Sequence, residues 1–520
     1  IFELIMKKLY ISTVAATLLL AASCKTDFEN STEDVVVTSG EANFSKYVSL
    51  GNSLTAGYRD GALYADGQNE SYPSMIAKQM QSAGGGEFKQ PLMPDNNGGL
   101  LLTLPTGNIQ IADTKRVITG FSGGTPTIAF ANDNKAATIS NTVLTGPFNN
   151  MGVPGAKVSH LLAPDYGNVQ GILAKTANPY FVRFASSPTT SVIQDFLAQK
   201  PTFFSLWIGN NDALLYALAG ADDTVEKLTP ADQFGTYYNL LVSRIKTSGA
   251  KGVIANIPNV TTIPSLTTVP YNPLTAKLLG KGDVNVGNAT IDQLNSSLYG
   301  PLNQILTALG AGDRIKPLSK TTTNPLLIFD ESLPNLGNAI TTAALASGNP
   351  QLMALAPYLG ATYGRARQAK STDLIPLTTS ASIGTAATLP PGIPASLSAR
   401  GVAYPFEDKY IVTSTEATAI DTAINSYNVI IKKAADDNGY AFVDANAKMV
   451  ELNSASGIQW DGVRYTAKFV TGGAFSLDGV HLTGRGYAII ANEFLKAINT
   501  KYKSNLPMIS PNSYSGVTFP

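Results

Sequence analysis

The chain has 520 residues, of which 44% are hydrophobic and 14% are charged, so it is long enough to bury a large core. Its 37 Lys and Arg residues balance its 37 Asp and Glu residues, which removes the basic surface that nucleic-acid binding normally requires. The single cysteine excludes an intrachain disulfide, and with two histidines a metal site is not expected.

The N-terminal segment is typical of an export signal. From Met6, the expected start, it reads "MKKLYISTVAATLLLAASC", in which two lysines precede an apolar run and small residues lead to Cys24. The run is too short to span a bilayer, so residues 1–23 are predicted to be a cleavable signal. A signal that ends at a cysteine resembles that of a bacterial lipoprotein, which implies lipidation of Cys24 and a membrane partner. An ordinary secretory signal is the alternative.

A polar, acidic segment follows the signal, and residues 24–45 are predicted to be a flexible tether. By the same resemblance, Lys25 directly after the lipidated cysteine favours the outer membrane, which places the protein in the bacterial cell envelope. The segments beyond the tether contain no long apolar run, so we expect the rest of the chain to be soluble.

Four apolar segments beyond the tether predict buried strands: "KYVSL", "PTFFSLWIGNND", "KGVIANIPN" and "GYAFVDANA". Each is a continuous apolar run rather than an alternating one, which is typical of a parallel sheet covered on both faces. Two helices are also well marked. A capping box of Thr413 and Glu416 begins one that ends at Asn438, and "LTGRGYAIIANEFLKAINTKY" predicts the last. The alternation predicts an α/β fold with a doubly wound parallel sheet.

Two long stretches do not fit a minimal version of this fold. Residues 81–149 are rich in Gly, Thr and Asn, and residues 263–404 are rich in Pro, Leu, Thr and Ala. We expect both to be insertions, within a domain of residues 46–505, that build walls or a lid over a site. An unrelated accessory role is the alternative. Residues 506–520 are expected to form a C-terminal tail.

Ser53, in "KYVSLGNSLTAGY", lies where the first strand turns into a helix. The free N–H groups at a helix start favour an oxyanion, so this serine could be a nucleophile, although its position alone favours a helix cap. Serine chemistry needs a base, and His481 lies in "SLDGVHLTGRGY", three residues after Asp478. In a tight turn that spacing lets the carboxylate reach the far nitrogen of the imidazole.

Two further segments could stabilise an oxyanion. Asn211 follows a strand end in "WIGNND", so its amide could point into the mouth of the sheet, although asparagines are also frequent in ordinary turns. In "NNMGVPGAKVSH", a glycine N–H could approach a substrate carbonyl closely because glycine has no Cβ.

Together, "GNSL", "NMGVPG", "GNND" and "DGVH" occur in the order of the four blocks of SGNH hydrolases, also called GDSL-type esterases and lipases. The resemblance covers roughly residues 46–260 and 405–502. It implies a three-layer α/β/α, flavodoxin-like domain with a catalytic triad of Ser53, Asp478 and His481. The implied oxyanion hole comprises the Ser53 N–H, the Gly155 N–H and the Asn211 amide. Gly152 competes with Gly155, which is preferred because it precedes the predicted helix.

One position departs from the family pattern, and two other residues could be mistaken for catalytic ones. The family usually has aspartate where this chain has Asn52, at a position that supports the turn. Ser122 in "GFSGG" matches the nucleophile elbow of α/β-hydrolases, but no helix-forming segment follows it. His160 is expected to pack or to line the pocket.

The resemblance implies a lipid-anchored serine esterase or lipase that hydrolyses carboxylic esters through an acyl-enzyme, without metal or cofactor. Its partners would be an ester substrate, such as a lipid, an acylated glycan or a small ester, and the membrane, with no nucleic acid. An acyltransferase that uses the same site on glycan hydroxyls and a non-catalytic binding lipoprotein are the alternatives.

Overall fold

The computed structural model of the protein describes residues 36–520. The predicted signal, Cys24 and the first part of the predicted tether lie outside the described residues. No helix within residues 36–520 is long and apolar enough to cross a membrane.

The described chain alternates strands and helices, with additional elements in the two predicted insertions. The strands are β1 (Tyr47–Gly51), β2 (Leu100–Leu104), β3 (Gly107–Ala112), β4 (Arg116–Ser122), β5 (Thr125–Phe130), β6 (Asn150–Gly152), β7 (Phe203–Trp207), β8 (Lys251–Ala255), β9 (Leu327–Phe329), β10 (Ala366–Gln368), β11 (Ala441–Val443), β12 (Ile458–Trp460) and β13 (Val463–Tyr465).

The α-helices are α1 (Ser53–Ala56), α2 (Ala65–Asn69), α3 (Tyr72–Gln81), α4 (Val158–Leu162), α5 (Pro179–Val182), α6 (Val192–Ala198), α7 (Asn211–Leu218), α8 (Ala231–Lys246), α9 (Pro264–Thr267), α10 (Ala276–Leu279), α11 (Val284–Leu294), α12 (Gly300–Ala308), α13 (Gly337–Leu345), α14 (Pro350–Tyr363), α15 (Ser414–Asp437), α16 (Ala445–Asn453) and α17 (Gly484–Tyr502).

A five-stranded sheet in the order β11-β8-β7-β1-β6 forms the centre, and every neighbouring pair is parallel. Its side chains alternate between two cores. Val48 and Leu50 of β1 join the core beneath α8 and α15, whereas Tyr47 joins the core beneath α3 and α17. The fold is therefore α/β, with a parallel sheet flanked by helices on both faces, which is compatible with a three-layer α/β/α arrangement.

The predicted strands and helices of this centre are confirmed. The four apolar runs form β1, β7, β8 and β11, and the capping box of Thr413 and Glu416 begins α15. Residues 150–152, for which no strand was predicted, form the edge strand β6. Three residues that include a glycine carry too little apolar pattern to predict a strand.

The two predicted insertions differ in structure. The first contains the antiparallel hairpins β2–β3 and β4–β5. The second contains helices α9 to α14 and the antiparallel strand pair β9–β10, and most of its buried hydrophobic side chains belong to a core separate from the two that cover the sheet. Outside these insertions, Phe44 is buried and its ring packs edge-on against Phe203, 5.0 Å away, so the packed domain includes residues before position 46.

Candidate active site

Ser53 lies just after the carboxyl end of β1. In open parallel sheets, ligands bind at this edge, beyond the carboxyl ends of the strands. Ser53 is the first residue of α1, and only 6% of it is exposed. The helix cap is Asn52, whose Oδ1 accepts the Leu54 N–H at 3.0 Å. Asn52, and not Ser53, is therefore the helix cap, so the Ser53 hydroxyl can make another contact.

That contact is with His481. The Ser53 Oγ lies 2.8 Å from His481 Nε2, and His481 Nδ1 lies 2.8 Å from Asp478 Oδ2. The loop before α17 brings the histidine to the serine, although 428 positions separate them in the sequence. The three side chains predicted from the sequence therefore form one hydrogen-bonded chain. In it, the imidazole can take the serine proton while the carboxylate stabilises the resulting charge.

The Asp478 carboxylate is held as an anion by its surroundings. Its Oδ1 accepts the backbone N–H groups of Val480 and His481 at 2.9 and 2.8 Å, and its Oδ2 accepts the Gly61 N–H at 2.8 Å. Burial alone would raise the pKa of Asp478, but the charge of His481 and these hydrogen bonds hold it well below its usual range. The carboxylate is therefore already ionised when the histidine is protonated, and its negative charge balances that of the imidazolium.

Aromatic packing restrains one face of the His481 imidazole. The Tyr58 ring lies 4.7 Å from the imidazole, centroid to centroid, and its backbone carbonyl accepts a hydrogen bond from the Tyr487 hydroxyl. The imidazole is thus restrained by Asp478 at one edge and by Tyr58 at one face, so that its Nε2 stays directed at Ser53.

Three N–H groups in this region are candidates for an oxyanion hole. The backbone N–H groups of Ser53 and Gly155 have no hydrogen-bond acceptor among the described residues. The Asn211 amide donates one of its two hydrogens to the Ala156 carbonyl at 2.9 Å, which leaves the other hydrogen available. The Gly152 N–H, by contrast, already donates to Asn150 Oδ1, which favours Gly155 over Gly152.

Asn211 and its neighbour Asp212 both hold the segment that carries Gly155. Asn211 donates to Ala156, and Asp212 Oδ2 accepts the Val158 N–H at 3.0 Å. Burial raises the pKa of Asp212 to about 6. The start of α7 and the segment before α4 are therefore fixed to each other, and the glycine has the positive φ of +80° that its turn requires.

A narrow apolar cavity of about 80 Å³ opens beside the Ser53 hydroxyl. Its polar lining residues are Lys448 of α16 and, around the Ser53 hydroxyl, Asn52, Ser53, Asn210, Asn211 and His481. The remainder of the wall is largely aliphatic and includes Met449 and Leu452 of α16 together with Ile489. Such a cavity suits an apolar group attached to an atom that the serine could attack.

The other two candidate residues lie elsewhere. Ser122 is exposed and ends β4, and the hairpin partner β5 follows it instead of a helix. His160 Nδ1 accepts the Lys157 N–H and lies 3.2 Å from the Tyr166 hydroxyl, and burial lowers its pKa. Neither residue is hydrogen-bonded to the Ser53–His481 pair among the described residues.

A second segment, not predicted from the sequence, also contacts the site. Asp60 and Gly61, in the loop after α1, bind the segment 476–478 through hydrogen bonds to Ser476, Leu477 and Asp478. An Arg-Asp-Gly sequence is typical of turns in general, so no local signal identified these contacts.

The comparisons with models of known protein families, with curated proteins and with solved structures find no match for this chain. Among residues 36–520, no group of three or more His, Cys, Asp or Glu side chains is arranged to hold a metal ion.

Proposed function

We propose that the protein is a serine hydrolase of the SGNH kind that cleaves carboxylic esters through an acyl-enzyme. The observation that carries the proposal is the hydrogen-bonded chain from Ser53 through His481 to Asp478, beside an apolar cavity at the carboxyl edge of a parallel sheet. A serine that only caps a helix, or a histidine that only packs in the core, requires neither this hydrogen-bonded chain nor nearby N–H groups without an acceptor.

In the proposed reaction, Ser53 Oγ attacks the ester carbonyl carbon as His481 Nε2 takes the hydroxyl proton. The carbonyl oxygen becomes an oxyanion, which accepts hydrogen bonds from the N–H groups of Ser53 and Gly155 and from the Asn211 amide. The carbon–oxygen bond to the alcohol then breaks, and His481 gives its proton to the departing alkoxide. Water then attacks the acyl carbon as His481 Nε2 takes a proton from it, the bond between that carbon and Ser53 Oγ breaks, Ser53 regains the proton from His481, and the carboxylic acid leaves.

The proposal also includes export and anchoring of the enzyme through Cys24, so that it would act at the cell envelope. Metabolic labelling with an alkyne-tagged fatty acid tests this part independently of catalysis. We expect the label on the wild-type chain and its loss in Cys24→Ser. Equal labelling of both chains would rule out this anchor.

The catalytic proposal is tested on nitrophenyl esters whose acyl groups range from acetyl to palmitoyl, using the chain from residue 25 onward. Ser53→Ala should lower turnover on the order of a million-fold, as removal of a triad serine does. The matched control is Ser122→Ala, which removes an exposed serine from the competing motif and should leave turnover unchanged. Folded wild-type protein that turns over none of these esters, or a Ser53→Ala variant that retains full activity, would rule out the proposal.

A further inference from the structure

A second concave surface lies outside the cavity beside Ser53. It is a groove of about 1220 Å³ between the hairpin β4–β5, the segment 267–282 and the segment 467–471. Its lining shares no residue with that of the Ser53 cavity. The groove is built mainly from the two insertions, for which the resemblance to SGNH hydrolases implies no role.

Large apolar side chains are exposed along this groove. Phe121, near the tip of the β4–β5 hairpin, is 55% exposed, and Phe519 is 49% exposed. Their rings stack 6.1 Å apart at an angle of 14°. Leu278 on the opposite side is 48% exposed. Exposed apolar side chains that meet in one concave surface mark a binding site more often than scattered ones do.

The charge of the groove has one sign. Lys277, Lys281 and Lys468 line it and are exposed, and none of them forms an ion pair with another described residue. The lining contains no Asp or Glu. In a chain whose formal charges cancel, this groove therefore combines an apolar lining with three uncompensated cations.

We propose that the groove binds a single-chain lipid with an anionic headgroup. The acyl chain would lie along the apolar lining, and the lysines would reach the headgroup, since a lysine can pack its methylenes on an apolar surface while its ammonium contacts an anion. A neutral apolar ligand would gain nothing from the three lysines, and a simple inorganic anion would gain nothing from the apolar lining.

The groove borders the segment that carries Asp478. Val470, which lines the groove, belongs to the same small hydrophobic cluster as Leu477, the residue before Asp478. In addition, the Ser265 N–H donates to the carbonyl of Gly479, the residue after Asp478, at 2.8 Å. Thr267 and Thr268, which follow Ser265 closely in the sequence, line the groove. The proposed lipid site is thus adjacent to the triad loop, but lipid binding there does not depend on the proposed esterase activity.

The test measures binding of 1-palmitoyl-lysophosphatidylglycerol and of 1-palmitoyl-lysophosphatidylcholine, which share one acyl chain and differ in headgroup charge. Isothermal titration below the micelle concentration would use the chain from residue 25 with Ser53→Ala, so that neither ester is hydrolysed. We expect at least about tenfold tighter binding of the anionic lipid, with a preference that weakens as ionic strength rises.

Two sets of variants locate the binding. Replacement of Lys277, Lys281 and Lys468 by Gln should abolish the preference for the anionic lipid. The control replaces the exposed Lys78, Lys433 and Lys501 by Gln, which changes the net charge equally and should retain the preference. Phe121→Ser should weaken the binding of both lipids, and circular dichroism and melting curves would verify folding of every variant. Equal affinity for the two lipids, no binding of either, or a preference that survives the triple groove substitution would overturn the proposal.

Discussion

The Gly61 N–H and the His481 imidazole contact the same oxygen of Asp478, Oδ2, each at 2.8 Å. Gly61 follows Ser53 by eight residues in one continuous segment. The segment that supplies the candidate nucleophile therefore also holds the carboxylate that orients the histidine. Asp60 strengthens this link, because its N–H donates to the Ser476 hydroxyl and its Oδ1 accepts the Leu477 N–H.

Replacement of Asp60 by Ala should lower kcat by between about tenfold and a hundredfold with little change in KM. The substitution removes the acceptor for the Leu477 N–H and for the Tyr64 hydroxyl, so the loop that carries Asp478 loses its fixed position. Asp60 touches neither the serine nor the histidine in the hydrogen-bonded chain, so it acts as a positioning residue. Steady-state kinetics on a nitrophenyl ester would measure the effect.

Two companion variants separate positioning from a general loss of stability. Asp60→Asn retains an oxygen that can accept from Leu477, so it should recover part of the lost kcat. Asp66→Ala removes an exposed carboxylate from the same region and should leave kcat unchanged. An Asp60→Ala variant that unfolds at a lower temperature but keeps wild-type kcat would contradict the positioning role.

Replacement of Asn211 by Ala should lower kcat by about a hundredfold to a thousandfold, because one donor to the oxyanion is lost. It should also lower the melting temperature, because the hydrogen bond to the Ala156 carbonyl is removed. Comparison with Ser53→Ala is informative, since the serine variant should lose far more activity. Wild-type turnover in Asn211→Ala would exclude the amide from the oxyanion hole.

The cavity beside Ser53 should set the length of the acyl group. Met449 is buried in its wall, so Met449→Phe should narrow it and reduce activity on octanoyl esters about tenfold more than activity on butanoyl esters. The matched control is Val450→Phe, which adds the same ring at a position on α16 that is 65% exposed. Rates on a nitrophenyl ester series, in which the alcohol is constant, would report this shift. Parallel changes on both esters would show that the acyl chain lies elsewhere.

The sequence predicted the central sheet and the contact between Asp478 and His481 because these features carry strong local signals. Apolar runs marked four of the five strands, and a three-residue spacing in a tight turn marked Asp478 and His481. The sequence could not show that Asp60 and Gly61 approach Asp478, because that contact joins positions 417 residues apart through tertiary packing. The groove lacked a signal for the same reason, since residues from both insertions and from the segment before α17 line it together.

Glu416 should make the protein more stable at about pH 5 than at about pH 8. Its Oε2 accepts the Thr413 N–H, but its Oε1 is buried without a hydrogen-bond partner. Burial, with a contribution from the nearby Asp408, raises its pKa to about 7. Between its ordinary value of about 4.3 and this folded value, the folded protein binds a proton that the unfolded chain does not, so stability falls as pH rises.

Glu416→Gln should remove the contribution of Glu416 to this dependence, because glutamine at that position can still accept the Thr413 N–H in the capping box and carries no charge. We expect the variant to be about 1 kcal/mol more stable than wild type at about pH 8, and the difference to disappear at about pH 5. Urea unfolding at both pH values would measure it, with the exposed Glu87→Gln as the control. A gain of equal size at both pH values would mean that the charge of Glu416 is not its cause. A variant less stable than wild type at about pH 8 would mean that the ionised carboxylate is stabilising, contrary to its raised pKa.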